Sequence, residues 1–367
     1  MPHLSNLKVQ QFRNLGLVDI TPSPTLNLVY GENGSGKTSL LEAISVLAHC
    51  RSFRTHKYRR LIQDTTTAFT VFATVEGSDA FKVGVQREWS GKSTARLDGL
   101  SAKSSAQLAT NLPVQIIDAH TFALLEGGSK ARRKFFDWLV FHVKHDFKTA
   151  WANYVKCVKQ RNSLLRHDKI AYSDLRPWDE QITGLAATID ECRVECITPL
   201  IQAFKALMGE CKFADNVDLT LAYQPGWKEG ELSFPQQLEQ AFARDRKLGY
   251  TTLGPHKSDL KITANGSPAV EVLSRGQQKA VINALHIAEA LVYKTQIGRT
   301  PVFLLDDMPS ELDANHIAIL SGWLSNLGAQ VFVTGVDANK LASVWPLQKN
   351  EVIKMFHVKQ GEVTVSQ

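Results

Sequence analysis

The sequence has few cysteines, and their arrangement argues against two classes of cross-linked fold. Its five cysteines, an odd number in 367 residues, include no C-x-x-C pair. A disulfide framework usually has an even number of cysteines, and a zinc ribbon is built from C-x-x-C pairs, so neither is expected. Cys192 and Cys196 could share one helix face as half of a metal site, but no second pair at ligand spacing accompanies them. Reduced cysteines in a helical region are the simpler interpretation.

Long apolar runs, internal repeats and low-complexity tails are also missing. No uninterrupted apolar stretch approaches the ~18 residues of a transmembrane helix. The first residues carry His3, Lys8 and Arg13 with no apolar signal-peptide core behind them. We therefore expect a cytoplasmic protein with no membrane partner. The 44% hydrophobic and 21% charged fractions are ordinary for a globular protein, and 367 residues suffice for two domains.

One short segment carries the strongest functional signal. It fits the pattern G-x-x-x-x-G-K-T and consists of Gly31, Glu32, Asn33, Gly34, Ser35, Gly36, Lys37 and Thr38. It stands between an apolar strand and an amphipathic helix, whose apolar positions 40, 41, 44, 47 and 48 form one stripe. In that context the backbone N–H groups can cradle nucleotide phosphates, Lys37 can reach the β- and γ-phosphates, and the Thr38 hydroxyl can ligate Mg²⁺. A chance glycine-rich turn is the alternative.

A second apolar strand ends in two acidic residues. Residues 301–305 are apolar, and Asp306 and Asp307 follow directly. A buried parallel strand that ends in this way places its carboxylates beside the Mg²⁺ of a P-loop nucleotide. Asp306 is therefore the candidate metal-side ligand, directly or through water, and Asp307 is the candidate base for the attacking water. The alternative is that the pair caps the next helix.

The segment L-S-R-G-Q-Q-K at 273–279 runs into a predicted helix. Ser274 has the chemistry of an N-cap, which is the simplest interpretation. The Ser274 hydroxyl, the Gly276 N–H and the helix N-terminus could also form a second anion site. One chain does not need that site once its own loop holds the phosphates. It would instead serve the nucleotide of a second copy, which predicts a nucleotide-dependent homodimer.

Basic residues are clustered, although the net charge of +6 is moderate. The first cluster contains no acidic residue before Asp64 and is interleaved with Phe53 and Tyr58; its candidate DNA contacts are Arg51, Arg54, Lys57, Arg59 and Arg60. Further clusters lie at 130–134 and 144–166. Solvated helix faces explain most such runs, but three in one chain strengthen the expectation of nucleic-acid contact.

The residue pattern divides the chain into two parts. Residues 4–30 and 68–97 alternate apolar and polar positions, as strands do, and Asp98-Gly99 predicts a tight turn. From 131 to 208 the period is helical, with breaks expected at Pro177 and Pro199. Strand patterns return near 217–221 and 259–262. We predict an α/β P-loop head from residues 1–112 and 251–367, with a mixed sheet, flanking helices and an antiparallel β meander. Residues 113–250 would form an inserted, mostly helical arm domain.

Further segments complete a pattern that spans the chain: F-R-N at 12–14, G-S-K-A-R-R-K-F-F-D-W at 128–138 and G-P-H-K-S-D-L at 254–260. Together with the motifs above, and in this order, they resemble the ABC-type head ATPases of the SMC group and, more narrowly, the RecF family. The resemblance implies that 31–38 is Walker A, Asp306 and Asp307 are Walker B, 273–279 is the signature, and 310–313 is the D-loop at a dimer interface.

The resemblance also implies a function in recombinational DNA repair. A RecF-type ATPase binds ATP and Mg²⁺, favours single-stranded and gapped DNA, works with RecO and RecR to load recombinase, and supports the SOS response. Two departures from transporter-type ABC ATPases stand out, because the strand V-F-V-T-G at 331–335 lacks a following sensor histidine and Walker B ends in Asp307 rather than glutamate. Misplacing the attacking water by ~1 Å can cost ~100-fold in rate, so we expect slow, DNA-stimulated hydrolysis that resets a clamp.

Two other functions remain open from the sequence. The ATPase subunit of an ABC transporter would share the phosphate loop and the signature, but it fits poorly with the missing histidine and the long basic insertion. A nucleotide-gated clamp with negligible hydrolysis would differ mainly in giving Asp307 no catalytic role. The resemblance to ABC-type ATPases also implies a glutamine in the lid segment, the Q-loop. The sequence does not identify it, and Gln115 is suggested by its position alone.

Overall fold

The computed structural model describes residues 2–167, 169–211, 216–228, 230–307, 314–345 and 352–366. Its strands in chain order are β1 (His3–Phe12), β2 (Leu15–Ile20), β3 (Leu26–Tyr30), β4 (Ala68–Glu76), β5 (Phe81–Glu88), β6 (Ser93–Leu97), β7 (Leu100–Ser101), β8 (Val114–Ile117), β9 (Leu219–Gln224), β10 (Asp259–Ala264), β11 (Ser267–Pro268), β12 (Val302–Leu305), β13 (Val331–Gly335), β14 (Ile353–Lys359) and β15 (Glu362–Ser366). Its helices are α1 (Lys37–His49), α2 (Ser105–Asn111), α3 (Ala123–Glu126), α4 (Ser129–Val143), α5 (His145–Leu164), α6 (Arg176–Met208), α7 (Phe234–Leu248), α8 (Ala269–Val272), α9 (Arg275–Ile297), α10 (Ala314–Leu327) and α11 (Ala338–Val344).

Two compact units share the chain. The first comprises Met1–Thr121 with Gly298–Gln367, and the second is Phe122–Ile297. These borders differ from the predicted 112/113 and 250/251. Strand β8 pairs with β12 and therefore belongs to the first unit, whereas β10 pairs with β9 within the second. Such pairings between distant segments leave no local mark in the sequence.

The first unit contains a six-stranded mixed sheet in the order β15-β14-β3-β13-β12-β8. All neighbouring pairs are parallel except β14 with β15. Strands β12 and β13 are fully buried, as expected for parallel strands covered on both faces. Because the strands are parallel, the carboxyl ends of β3, β8, β12 and β13 meet at one edge, which is where the candidate site lies.

A second, antiparallel sheet of the first unit has the order β2-β1-β4-β5-β6-β7, which confirms the predicted meander. The predicted turn is confirmed as well, because Asp98 and Gly99 link β6 to β7 with φ values of 49° and 79°. Positive φ at both central residues is typical of a type I′ hairpin turn.

Helix α1 packs in a core that contains residues of both sheets. Its predicted apolar stripe is buried, including Leu40 and Ile44 at 0% exposure. The expectation of an amphipathic helix is wrong, however, because Glu42 and Ser45 on other faces are buried too. The buried Glu42 carboxylate accepts two hydrogen bonds of 2.8 Å from the guanidinium of Arg13, which explains how the core holds a charge.

The second unit combines α3 to α9 with the antiparallel sheet β11-β10-β9. Helix α6 begins at Arg176, so the predicted break at Pro177 is confirmed. The predicted break at Pro199 is wrong, because this proline lies inside α6. Its neighbours Ile197 and Leu200 are buried, and their packing outweighs the backbone hydrogen bond that the proline removes. Of the helices described, none has both the length and the apolar character of a membrane span.

A buried ion cluster lies between the helices of the second unit. The Arg161 guanidinium, with 0% side-chain exposure, donates to the carboxylates of Asp179 at 2.6 Å and Asp245 at 2.7 Å. Burial raises the pKa of Asp179, while the hydrogen bond from Arg161 counteracts that shift. A charge held in this way is stable only while its partners remain.

A neutral histidine lies close to the same cluster. His256 is 2.6 Å from the Tyr154 hydroxyl through Nδ1 and 3.0 Å from the carbonyl oxygen of Thr251 through Nε2. A carbonyl only accepts, so we assign the proton to Nε2, and Nδ1 then accepts from Tyr154. Burial lowers the pKa of His256 to about 4.

Candidate nucleotide site

The loop between β3 and α1 has the backbone of a phosphate cradle. Gly31, Gly34 and Gly36 have φ values of 151°, 80° and 122°, which residues with a side chain rarely adopt. A Cβ atom at Gly31 would lie only 2.2 Å from the carbonyl oxygen of Val358. The glycines of the motif are therefore required by the local geometry. Glu32, Asn33 and Gly34 form the exposed crest of the loop.

Lys37 begins α1, and its ammonium group lies within the loop. Its Nζ donates to the carbonyl oxygens of Gly31 at 2.7 Å and Glu32 at 2.9 Å. Burial lowers the pKa of Lys37, and the carboxylates of Asp307 and Asp306 oppose that shift. The lysine and the two carboxylates, which are more than 260 positions apart, are therefore brought into one electrostatic environment.

Thr38 and Asp306 meet at the carboxyl edge of the parallel sheet. The Thr38 hydroxyl donates to Asp306 Oδ1 at 3.0 Å. The same oxygen accepts at 2.8 Å from the hydroxyl of Thr334, the fully buried residue near the end of β13. A hydroxyl and a carboxylate are oxygen ligands of the kind that Mg²⁺ prefers.

Asp307 follows Asp306 in an unusual backbone conformation. Its φ of 55° lies in the left-handed region, which aspartate tolerates better than most residues. Its backbone N–H donates to the Thr334 hydroxyl at 2.8 Å, so one side chain fixes both members of the acidic pair. The Asp307 residue is exposed. Sequence reasoning missed Thr334, although its position at the end of an apolar strand could have indicated it.

Asp118 is a third carboxylate at this edge that sequence reasoning missed. It follows β8, and the backbone N–H of Asp306 donates to the carbonyl oxygen of the preceding Ile117 at 3.0 Å. Burial raises the pKa of Asp118, and the nearby Asp306 carboxylate adds to that shift. An apolar strand ending in an acid was available as a signal, as it was for Asp306. Gln115 lies within β8, opposite Phe303, rather than at the strand end.

The residues present fit a nucleotide phosphate and Mg²⁺. Within the described part of the chain, the buried Ser35 Oγ of the loop has no hydrogen-bond partner, so its bonding capacity is unused. The described ranges contain no group of three or more His, Cys, Asp and Glu side chains placed to hold a metal ion. The candidate ligands Thr38 and Asp306 are a different donor set, one that phosphate oxygens and water complete in P-loop proteins.

Ser274 caps α9 in the second unit. Its Oγ accepts from the backbone N–H of Gln277 at 3.4 Å, and the Gln277 side chain accepts from the Ser274 N–H at 2.9 Å, forming a capping box. The N-cap interpretation is therefore confirmed, and Ser274 remains exposed. Gly276 is half-buried in the first turn. Arg275 pairs with Glu126 and lies 5.4 Å from the ring centroid of Phe122.

The predicted DNA contacts lie on the surface of the first unit. They are all exposed and comprise Arg51, Arg54, Lys57, Arg59 and Arg60. Among the residues that the structure describes, none of the five forms an ion pair. The predicted D-loop, 310–313, lies outside the described residues.

Comparison with known proteins decides the family. The profile described as "RecF/RecN/SMC N terminal domain" matches residues 3–364. The DNA replication and repair protein RecF of Saccharophagus degradans is 98% identical over 367 residues, covering 100% of both chains. The chain belongs to the RecF family.

Solved structures agree with that assignment. A structure described as the recombination mediator protein RecF-ATP in the RecFOR pathway superposes with a TM-score of 0.86 at 26% identity, covering 100% of this chain and 98% of that one. The Smc head domain of Pyrococcus furiosus is similar in fold alone, with a TM-score of 0.58 at 14% identity, covering 100% of this chain and 96% of that one. The predicted fold class, an α/β ABC-type ATPase head, is confirmed.

Proposed function

We propose that this chain is an ATP-dependent DNA-binding protein of DNA replication and recombinational repair. The observation that carries the proposal is the hydrogen bond of 3.0 Å between the Thr38 hydroxyl and Asp306, beside a phosphate loop that encloses Lys37. Two relatives support it, since one is named for DNA replication and repair and the other is described as a RecF-ATP structure.

Each residue of the site has a distinct role in this proposal. The loop N–H groups and Lys37 bind the phosphates, while Thr38 and Asp306 hold the metal. Bound Mg²⁺ would neutralise charge on the β- and γ-phosphate oxygens. Asp307 orients or deprotonates the attacking water, and Thr334 holds Asp307 at the required position. The short Asp307 side chain supports slow hydrolysis.

Nucleotide binding would control assembly on DNA. Ser274 and Gly276, at the N-terminus of α9, complete the ATP site of a second copy, so that ATP drives homodimerisation. The dimer clamps single-stranded and gapped duplex DNA in the cytoplasm, and exposed cations such as Arg54 and Arg60 contact its phosphates. RecO and RecR act with it to load recombinase. DNA-stimulated hydrolysis then resets the clamp.

DNA binding measured with and without ATP and Mg²⁺ across a salt series tests the proposal. We expect ATP to tighten binding, and we expect the logarithm of affinity to fall linearly with the logarithm of salt by ~0.7 per single-strand phosphate contact. Lys37→Ala is the matched control, because it removes the phosphate ligand and leaves the exposed cations in place. Affinity that is identical with and without ATP would contradict the proposal.

A further inference from the structure

An exposed tryptophan projects from the hairpin between β5 and β6. Trp89 is 51% exposed. A single exposed apolar side chain is ordinary, but one that is grouped with other aromatic and charged side chains can mark an interaction site. The Arg59 guanidinium carbon lies 5.3 Å from the Trp89 ring centroid and 5.9 Å from that of Tyr58. The Arg87 guanidinium carbon lies 4.2 Å from the Tyr58 ring centroid. Two arginines and two aromatic rings therefore form one continuous cluster of cation–π contacts.

The charge around this cluster is positive and uncompensated. Within the described residues, the neighbouring exposed cations of the 51–60 segment form no ion pair. The acid next to Trp89, Glu88, is already occupied: it lies 3.9 Å from the Lys92 ammonium and accepts a hydrogen bond of 3.0 Å from Ser90. The cluster therefore presents an aromatic face bordered by cations that lack acidic partners.

Single-stranded DNA matches this combination. Its phosphates pair with cations, and its unpaired bases stack on aromatic side chains and guanidinium planes. The bases of a duplex are already stacked on one another, so a duplex can contact this cluster only through its phosphates. We propose that Trp89, backed by Arg59 and Tyr58, stacks with an unpaired base and gives this chain its preference for single-stranded segments. This inference rests on the proposed DNA-binding function and assigns it a specific surface.

Fluorescence anisotropy with the full chain, ATP and Mg²⁺ tests the inference on two labelled probes, a 20-nucleotide oligo(dT) and a blunt duplex of equal length. Loss of one stacked base predicts that Trp89→Leu weakens oligo(dT) binding roughly 5- to 100-fold. Duplex affinity should change less than roughly twofold, and the salt dependence should be unchanged, because no phosphate contact is lost. Trp89→Phe keeps a ring and should retain most of the affinity.

The other outcomes separate the possible failures. Equal losses on both probes, or oligo(dT) affinity unaffected by Trp89→Leu, would overturn the stacking role while leaving the DNA-binding function intact. Wild-type protein that binds neither probe would overturn the proposed function as well. If Trp89→Leu weakens the binding of a poly-glutamate peptide as much as that of oligo(dT), the surface is a general polyanion site and the stacking role is overturned. Thermal melting of Trp89→Leu should match wild type, since the ring is half exposed.

Discussion

Replacing Thr334 by valine tests the positioning role of a residue that makes no contact with solvent. The side chain is 0% exposed, and its hydroxyl makes two hydrogen bonds of 2.8 Å, one to the Asp306 carboxylate and one from the Asp307 N–H. Valine has the same shape but makes neither. Each lost bond is worth ~1 kcal/mol, and an N–H left unsatisfied costs ~1–3 kcal/mol, so we expect a loss of roughly 2 to 4 kcal/mol. For a unit of this size that corresponds to a fall in Tm of roughly 10 °C.

Hydrolysis should respond more strongly than stability does. Without the bond to Thr334, the Asp307 backbone loses a contact that helps to fix its position. A shift of ~1 Å in the group that orients the water can cost ~100-fold in rate. Phosphate release should therefore fall ~10- to 100-fold in Thr334→Val, with ATP affinity changed by less than a factor of ~3, because the phosphate loop is untouched. Thr334→Ser keeps the hydroxyl and is the matched control, expected to be somewhat less stable but catalytically close to wild type. If the valine and serine variants release phosphate at the same rate, the positioning role is refuted.

Three further substitutions test the catalytic role of Asp307 and the roles of two buried groups in stability. Asp307→Asn should lower phosphate release by ~100-fold or more while ATP still binds, and equal rates would leave the aspartate no catalytic role and favour a non-hydrolysing clamp. Arg161→Leu leaves two buried aspartates uncompensated and should lower the free energy of unfolding by ~3–5 kcal/mol in urea denaturation; an effect below ~1 kcal/mol would contradict the buried cluster. The pKa of His256, lowered to about 4, means that its stabilising contribution is present above pH 6.5 and is lost as the pH falls from 6.5 towards 4. The stability difference between wild type and His256→Gln should therefore shrink by ~2 kcal/mol between pH 7.5 and pH 5, and a constant difference would contradict a neutral, buried ring.

The sequence predicts those parts of the fold that depend on residues close together in the chain. The alternation of apolar and polar residues predicts the meander, and the Asp98-Gly99 pair predicts its turn. The glycine spacing predicts the loop between β3 and α1. Each of these features depends on backbone preferences within a few positions. Thr38 and Asp306 lie 268 positions apart, and the expectation that they lie close together is confirmed by their hydrogen bond. Their joint role as metal ligands stays a prediction.

The remainder depends on contacts that no short segment encodes. The position of Thr334 near the end of an apolar segment makes it a candidate, but only the pairing of β13 with β12 places its hydroxyl beside Asp306. Asp118 is an acid that follows a largely apolar strand, but only the pairing of β8 with β12 places it at the same sheet edge as Asp306, and that pairing also puts β8 in the first unit. Pro199 does not end α6, because packing of its buried neighbours outweighs a local preference. In each case tertiary contacts, rather than propensity, decided the result.

In the proposed mechanism, ATP brings two copies together through the N-terminus of α9. Light scattering on the full chain with ATP, Mg²⁺ and gapped DNA tests it most directly. We expect a dimer for wild type, a monomer for Lys37→Ala, and a monomer that still binds ATP for Ser274→Arg. A Ser274→Arg variant that forms dimers as wild type does, or a wild-type protein that stays monomeric at saturating ATP with DNA present, would contradict the claim.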